Sequence, residues 1–331
     1  MTGDDLETPH APPRQTFLTR DAFLQADWPV IGDRFVRAIR DGALDIDHSR
    51  HAMGRDGVLP GFALSPGWCS DPDGRAYSGL RIYATGLGQS DEYQSVLLFD
   101  EDGLLTDQIA TLWLSAFRAA LLGALAIDKW RCGRKVALGV DGLGRMGFAA
   151  VFLLLRLTPV ASLVLRARQG ARYARYLALL RSVSDIPVHE IGAEGSPLAC
   201  ALDLAGDADA APVGLFASSR TGCNPHPVLA PAPFILHIGS KYGASWDGPS
   251  DIILRDCNVL TDSLGQLAAA RERLAQPLNE TGGLAAYLRD EWQGAAGRPF
   301  YFLSVGAPGA DVALAACLRD GAETARHGGP S

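Results

Sequence analysis

The chain has 331 residues, 47% of them hydrophobic and 20% charged, with a formal net charge of −7. Such a length suits two domains or one large α/β unit, and the composition is that of an ordinary globular protein. The acidic balance argues against nucleic acid or an anionic membrane surface as partner, and six scattered cysteines without a C-x-x-C pair suit a reducing cytoplasm rather than a disulfide framework or a zinc site.

Residues 1–15 read as an acidic, proline-containing tail; they lack the basic start and apolar core of a signal peptide. Residues 16–108 mix strands, at 80–83 and 95–99, with turns such as Asp100-Glu101-Asp102-Gly103. A long apolar helix is predicted over 109–130. From residue 127 onward short apolar runs alternate with helical stretches, as in a parallel βαβ domain. Strands are expected at 136–140, 162–165, 188–191, 214–217, 234–238 and 259–261, and helices at 145–156, 169–183, 197–204 and 263–274. Arg156 and Pro159 break the apolar stretch at 148–165, so no segment reaches membrane-spanning length.

The most informative segment is Lys135-Val136-Ala137-Leu138-Gly139-Val140-Asp141-Gly142-Leu143-Gly144-Arg145-Met146-Gly147. A strand-like run meets Gly142, Gly144 and Gly147 in G-x-G-x-x-G spacing, and a helical run follows. In a dinucleotide site the first glycine permits the tight turn and the second lets backbone approach the pyrophosphate. The third lets helix pack on strand, and the helix N-terminus offers N–H groups to phosphate. An ordinary glycine turn in an α/β domain is the other reading. Asp141, placed before the first glycine, sets a carboxylate against incoming phosphates.

Four blocks then resemble the ornithine cyclodeaminase/μ-crystallin family, over roughly residues 75–320. They are Leu97-Leu98-Phe99-Asp100-Glu101-Asp102-Gly103 followed by Leu114-Ser115-Ala116-Phe117-Arg118-Ala119-Ala120; the glycine loop; Leu236-His237-Ile238-Gly239-Ser240; and Phe302-Leu303-Ser304-Val305-Gly306 with Asp311 and Ala315 beyond. The resemblance implies an α/β fold in which a Rossmann-type parallel sheet domain, 127–299, is inserted into a second α+β substrate and dimerisation domain, 16–126 plus 300–331. It implies a homodimer in specialised amino-acid or peptide (natural-product) metabolism. It also implies a nicotinamide cofactor held by Gly142, Gly144, Arg145, Met146, Gly147, Ser304, Val305 and Gly306.

An NAD-selecting domain of this kind carries an acid about 20 positions past the loop, on the ribose hydroxyl. Leu165-Arg166-Ala167-Arg168 occupies that place, and no Asp or Glu lies between Phe148 and Ser184. If a dinucleotide binds, Arg166 or Arg168 would meet a 2′-phosphate, so NADP(H) is expected over NAD(H). A solvated basic helix face is the alternative.

Arg118 matches the family arginine that holds the substrate carboxylate, and a charge inside the apolar run 112–126 asks for an anion. Arg50 either aligns with a second such arginine or is a surface residue. The family lysine on the strand Gly79-Leu80-Arg81-Ile82-Tyr83 is replaced by Arg81, and an arginine cannot be tuned into a proton carrier as a lysine can. The family aspartate after Gly239-Ser240 aligns with Lys241, unless Lys241 is a solvated loop residue; Asp247 lies six residues further on. Arg118, Arg81 and Lys241 without a balancing carboxylate would prefer a dianion or a peptide carboxylate to ornithine. His237 is expected to pack in its strand with one hydrogen bond, and the seven histidines have no metal-ligand spacing.

Two readings follow. One is a repurposed scaffold that binds an anionic small molecule or peptide with little or no turnover, and no cofactor if the dinucleotide site is inactive. The other is an active NADP(H)-dependent imine reductase or amino-acid dehydrogenase acting on a carboxylate-rich substrate. The departures at Arg81, Lys241 and Asp141 favour the first.

Overall fold

A computed structural model describes residues 12–44, 46, 51–53, 61–70, 76–85, 94–166, 170–192, 195–206, 209–217, 233–238, 256–271 and 281–327. Arg50, Arg168, Lys241 and Asp247 lie outside them. No helix among the described residues is long and apolar enough to cross a membrane.

The chain opens with β1 (Arg14–Leu18), α1 (Arg20–Gln25) and α2 (Trp28–Arg40). The Asp27 carboxylate caps α2 by accepting from Val30 N at 3.2 Å, and Pro29 sits in the first turn, where its missing N–H costs nothing. Strands β2 (His51–Met53), β3 (Gly61–Ser70), β4 (Ala76–Thr85), β5 (Gln94–Phe99) and β6 (Leu105–Thr111) follow. With β1 they form a sheet in the order β1-β6-β5-β4-β3-β2, antiparallel except for the parallel β1–β6 pair.

Strand alternation gives this first sheet two unlike faces. Gly67, Gly79, Val96, Leu98 and Ile109 point inward against α9 (Pro308–His327). Gly67 and Gly79 allow a very close approach: a Cβ on Gly67 would stand 2.5 Å from Gly309 Cα, and one on Gly79 2.6 Å from a Val312 methyl. On the outer face Phe17 and Trp68 are exposed, and Leu80, Ile82, Leu97 and Phe99 are partly exposed.

Helix α3 (Leu114–Trp130) runs through the centre and buries nearly every residue as far as Ile127, including Arg118. A helix apolar on all sides is a core helix, and this one lies between α4 and α9. Phe117 stacks on Trp28 with ring centroids 5.3 Å apart. The helix is shorter than the predicted 109–130, because residues 105–111 are β6. Thr111 Oγ1 accepts from Trp113 N at 3.1 Å and turns the chain there. Apolar content alone does not separate a buried strand from a buried helix.

The rest of the chain builds a second sheet from β7 (Val136–Asp141), α4 (Arg145–Leu157), β8 (Val160–Arg166), α5 (Ala171–Val183), β9 (Val188–Glu190), α6 (Pro197–Ala205), β10 (Ala211–Phe216), β11 (Phe234–His237), β12 (Asn258–Thr261), α7 (Leu264–Arg271), β13 (Thr281–Gly283), α8 (Leu284–Leu288) and β14 (Phe300–Leu303). All its pairings are parallel, in the order β13-β12-β14-β11-β10-β7-β8-β9. The expected α/β class, a Rossmann-type parallel sheet beside a separate mixed sheet, is what the structure has. One detail differs: β14 lies inside the parallel sheet, between β12 and β11, although 300–331 was expected to rejoin the other lobe whole. Its run Phe300-Tyr301-Phe302-Leu303 is the continuously apolar pattern of a strand covered on both faces. Strand β1 likewise begins at Arg14, within the segment read as tail.

Asp107 on β6 is nearly fully buried and holds Arg14 at 2.7 Å and Arg319 of α9 at 2.9 Å. Burial alone would push its carboxyl up, but the guanidinium groups of Arg14 and Arg319 outweigh that and hold it below the usual carboxylate range. A depressed folded-state pKa contributes stability that is present above the unfolded value of about 3.9 and is lost as pH falls through the folded value. Melting temperature should therefore drop on acidification below about pH 4. Asp107→Asn should melt lower at neutral pH and respond less to acid; an unchanged acid profile would count against this assignment.

Candidate functional site

Strand β7 ends at Asp141, and the loop Gly142–Gly144 leads into α4. Gly142 has φ +100°, a backbone state that side chains rarely adopt. Gly147 has no room for a Cβ, which would lie 2.2 Å from Gly142 O. Gly144, the N-cap residue of α4, is different: among the described residues a Cβ there would meet no atom within 4 Å. The middle glycine thus faces open space while the outer two are fixed by turn geometry and packing. No described side chain at the N-cap bonds to α4, and its first turn, Arg145 to Gly147, begins beside this glycine. These residues fit the pyrophosphate of a dinucleotide.

Asp141 is balanced in a way the sequence did not reveal. Arg166, at the end of β8, donates from Nη2 to Asp141 Oδ2 at 3.1 Å and from Nε to Oδ1 at 3.3 Å. The two residues are register partners on adjacent strands.

The second group of site residues links the two sheets. Arg81 reaches from β4 to Asp311 on α9, Nη1 to Oδ2 2.6 Å, and donates to Ser115 Oγ, which donates in turn to Gln94 Oε1 at 3.1 Å. Arg118 donates from Nε to Asp311 Oδ1 at 3.1 Å and from Nη1 to Asp262 Oδ2 at 3.0 Å. Asp262, wholly buried just past β12, also accepts from Ser304 Oγ at 2.7 Å, Val305 N at 2.7 Å and Gly306 N at 3.0 Å. Gly306 takes φ +115° so that its N–H can turn inward beside that of Val305.

The structure therefore brings Arg81, Arg118, Ser304, Val305 and Gly306 together. It corrects the expectation of an arginine cluster without balancing carboxylates: Asp262 and Asp311 offset Arg81 and Arg118 one for one. Buried charges at this depth persist only when paired and hydrogen-bonded, and these are. Asp311 stood in the sequence as part of a family block, without a role. Asp262 went unnoticed; the signal was an acid directly after the apolar strand Asn258–Thr261, a position that also suits a helix cap. The capping is done by its neighbour, since Ser263 Oγ accepts from Gln266 N at 3.2 Å.

His237, at the end of β11, is buried with Nδ1 2.6 Å from the Tyr301 hydroxyl. Burial, with Cys257 adding to it, pushes the Tyr301 phenol up, so that it keeps its proton. The pair packs among Phe216, Ile235 and Leu303.

A parallel sheet with a glycine loop, joined by α3 and α9 to a mixed sheet, defines an α/β protein with a Rossmann-type fold. By sequence, the chain matches no protein-family model and no curated protein. By structure it is similar to the Δ1-pyrroline-2-carboxylate reductase of Thermococcus litoralis, solved with NADH and L-proline, at TM-score 0.66 and 12% identity over 95% of this chain and 98% of that one. It is similar to an archaeal alanine dehydrogenase dimer with bound NAD, at TM-score 0.69 and 12% identity over 95% and 97% of the two chains. A probable ornithine cyclodeaminase from Bordetella pertussis Tohama I gives TM-score 0.63 and 21% identity over 97% and 100%. The chain has the fold of the ornithine cyclodeaminase/μ-crystallin family, which its sequence blocks resemble.

Proposed function

We propose that the chain is a divergent member of that family which binds a nicotinamide dinucleotide and acts as an oxidoreductase on an imine or amino acid in specialised amino-acid or peptide metabolism. The glycine loop carries this reading: Gly142 and Gly147 are demanded by turn and packing, whereas Gly144 opens onto space. The reductase and the dehydrogenase it resembles, solved with NADH and NAD, support it. When bound, the nicotinamide would supply or accept a hydride. Gly142, Gly144 and the first turn of α4 would hold the pyrophosphate, and the Ser304–Gly306 turn, fastened by Asp262, would shape the cofactor's other end. Ornithine cyclodeamination is not part of the proposal, because Arg81 stands where the family's lysine is expected and is committed to Asp311 and Ser115. Titration of purified protein with NADH and NADPH, followed by nicotinamide fluorescence, should give a dissociation constant of about micromolar order. Silence of both dinucleotides up to about millimolar would sink the reading.

One observation favours a binding scaffold without turnover: both site arginines already hold carboxylates, so no proton carrier is evident among the described residues that surround them. The same neutral balance weakens the case for a dianionic ligand. In the scaffold reading the titration is silent and an anionic small molecule or peptide still binds.

The outer face of the first sheet supports a homodimer. Phe17, Trp68, Leu80, Ile82, Leu97 and Phe99 form an apolar face there, and α9 packs on the opposite one. Light scattering at micromolar concentration should give twice the chain mass, and Leu97→Glu should return the monomer. A monomeric wild-type chain is the result that excludes the dimer.

A further inference from the structure

Strand register brings two opposite charges together beside the glycine loop. Asp141 ends β7, Arg166 ends β8, and the two are direct partners in the parallel ladder. Their side chains meet in a two-pronged pair, Nε–Oδ1 3.3 Å and Nη2–Oδ2 3.1 Å, with only 20% and 18% of the side chains exposed. The backbone fastens the same corner, because Gly142 N–H donates to Arg166 O at 2.9 Å.

In a doubly wound sheet of this kind the end of the second strand meets the adenosine ribose. An acid there takes the 2′-hydroxyl, and an arginine accommodates a 2′-phosphate. Arg166 taken alone selects the phosphate. Its planar fork, however, is already matched to a carboxylate, the partner geometry it would otherwise offer to phosphate oxygens. A 2′-phosphate that approached Arg166 would meet the Asp141 carboxylate as well, and would have to break or share a partly buried pair. A free ribose hydroxyl carries no charge and faces no such cost.

We propose that Asp141 is the selectivity residue of the dinucleotide site: by holding Arg166 it turns the pocket from NADP(H) toward NAD(H). The oddly placed acid and the missing ribose acid are then one feature, a carboxylate delivered from the neighbouring strand. This rests on the dinucleotide reading above, and it replaces the NADP(H) preference drawn from Arg166 alone.

The test compares NADH and NADPH dissociation constants, by nicotinamide fluorescence and calorimetry, for wild type, Asp141→Asn, Arg166→Gln and the double variant. Wild type should bind NADH at least as tightly as NADPH. Asp141→Asn keeps the side-chain size, removes the charge and should shift the ratio about tenfold toward NADPH. The double variant should lose that shift, which ties it to the released guanidinium. A wild type that prefers NADPH, with the preference lost in Arg166→Gln and unchanged in Asp141→Asn, overturns the proposal while dinucleotide binding stands. If no variant binds either dinucleotide, the dinucleotide reading fails and this proposal fails with it.

Discussion

Asp262→Ala is expected to lower folding stability by about 3–5 kcal/mol, the cost of stripping the partner from a buried charge. The carboxylate is wholly buried, and its loss takes one carboxylate from Arg118 and the shared acceptor from the Ser304, Val305 and Gly306 donors. Chemical denaturation followed by ellipticity should show the midpoint fall. Asp262→Asn should be milder, because an amide oxygen can still accept from the two backbone N–H groups. Equal losses in both variants would mean that charge balance with Arg118, rather than the turn, dominates.

The second large effect separates the loop's glycines. Gly147→Ala puts a methyl 2.2 Å from Gly142 O and 3.2 Å from Ala217 Cβ, so strand and helix must move apart. Overpacking of this kind costs about 1–3 kcal/mol, and dinucleotide affinity should fall with it. Gly144→Ala should cost about 1 kcal/mol at most, since it only worsens an N-cap. It should nonetheless weaken dinucleotide binding about tenfold, because the methyl projects where the pyrophosphate backbone contact is needed. If Gly144→Ala binds NADH as wild type does, the opening beside Gly144 is not the phosphate site.

The parallel sheet was legible because its strands are short apolar runs set off by turn residues and helical stretches. The glycine loop was legible because each glycine's spacing answers to a physical need. Local pattern failed at the start of α3, where β6 and the helix are both apolar, and at β14, whose sheet depends on pairings with β11 and β12 that no local signal encodes. The site was half legible. Arg118 declared itself as a charge in an apolar run and Arg81 through the family resemblance, but their partners Asp262 and Asp311 lie 144 and 230 residues away along the chain. Distance in sequence likewise hid the Asp141–Arg166 pair, which only strand register reveals.

Helix α9 carries Asp311 and covers the inner face of the first sheet, yet it is made after every other described element. Until it emerges from the ribosome, Gly67, Gly79, Val96 and Leu98 have no cover, and Arg81 and Arg118 lack the carboxylate that joins them. The first sheet therefore waits on a helix made well after it, and loop-closure entropy makes such long-range docking slow. Synthesis leaves a window in which an apolar sheet stands open to aggregation.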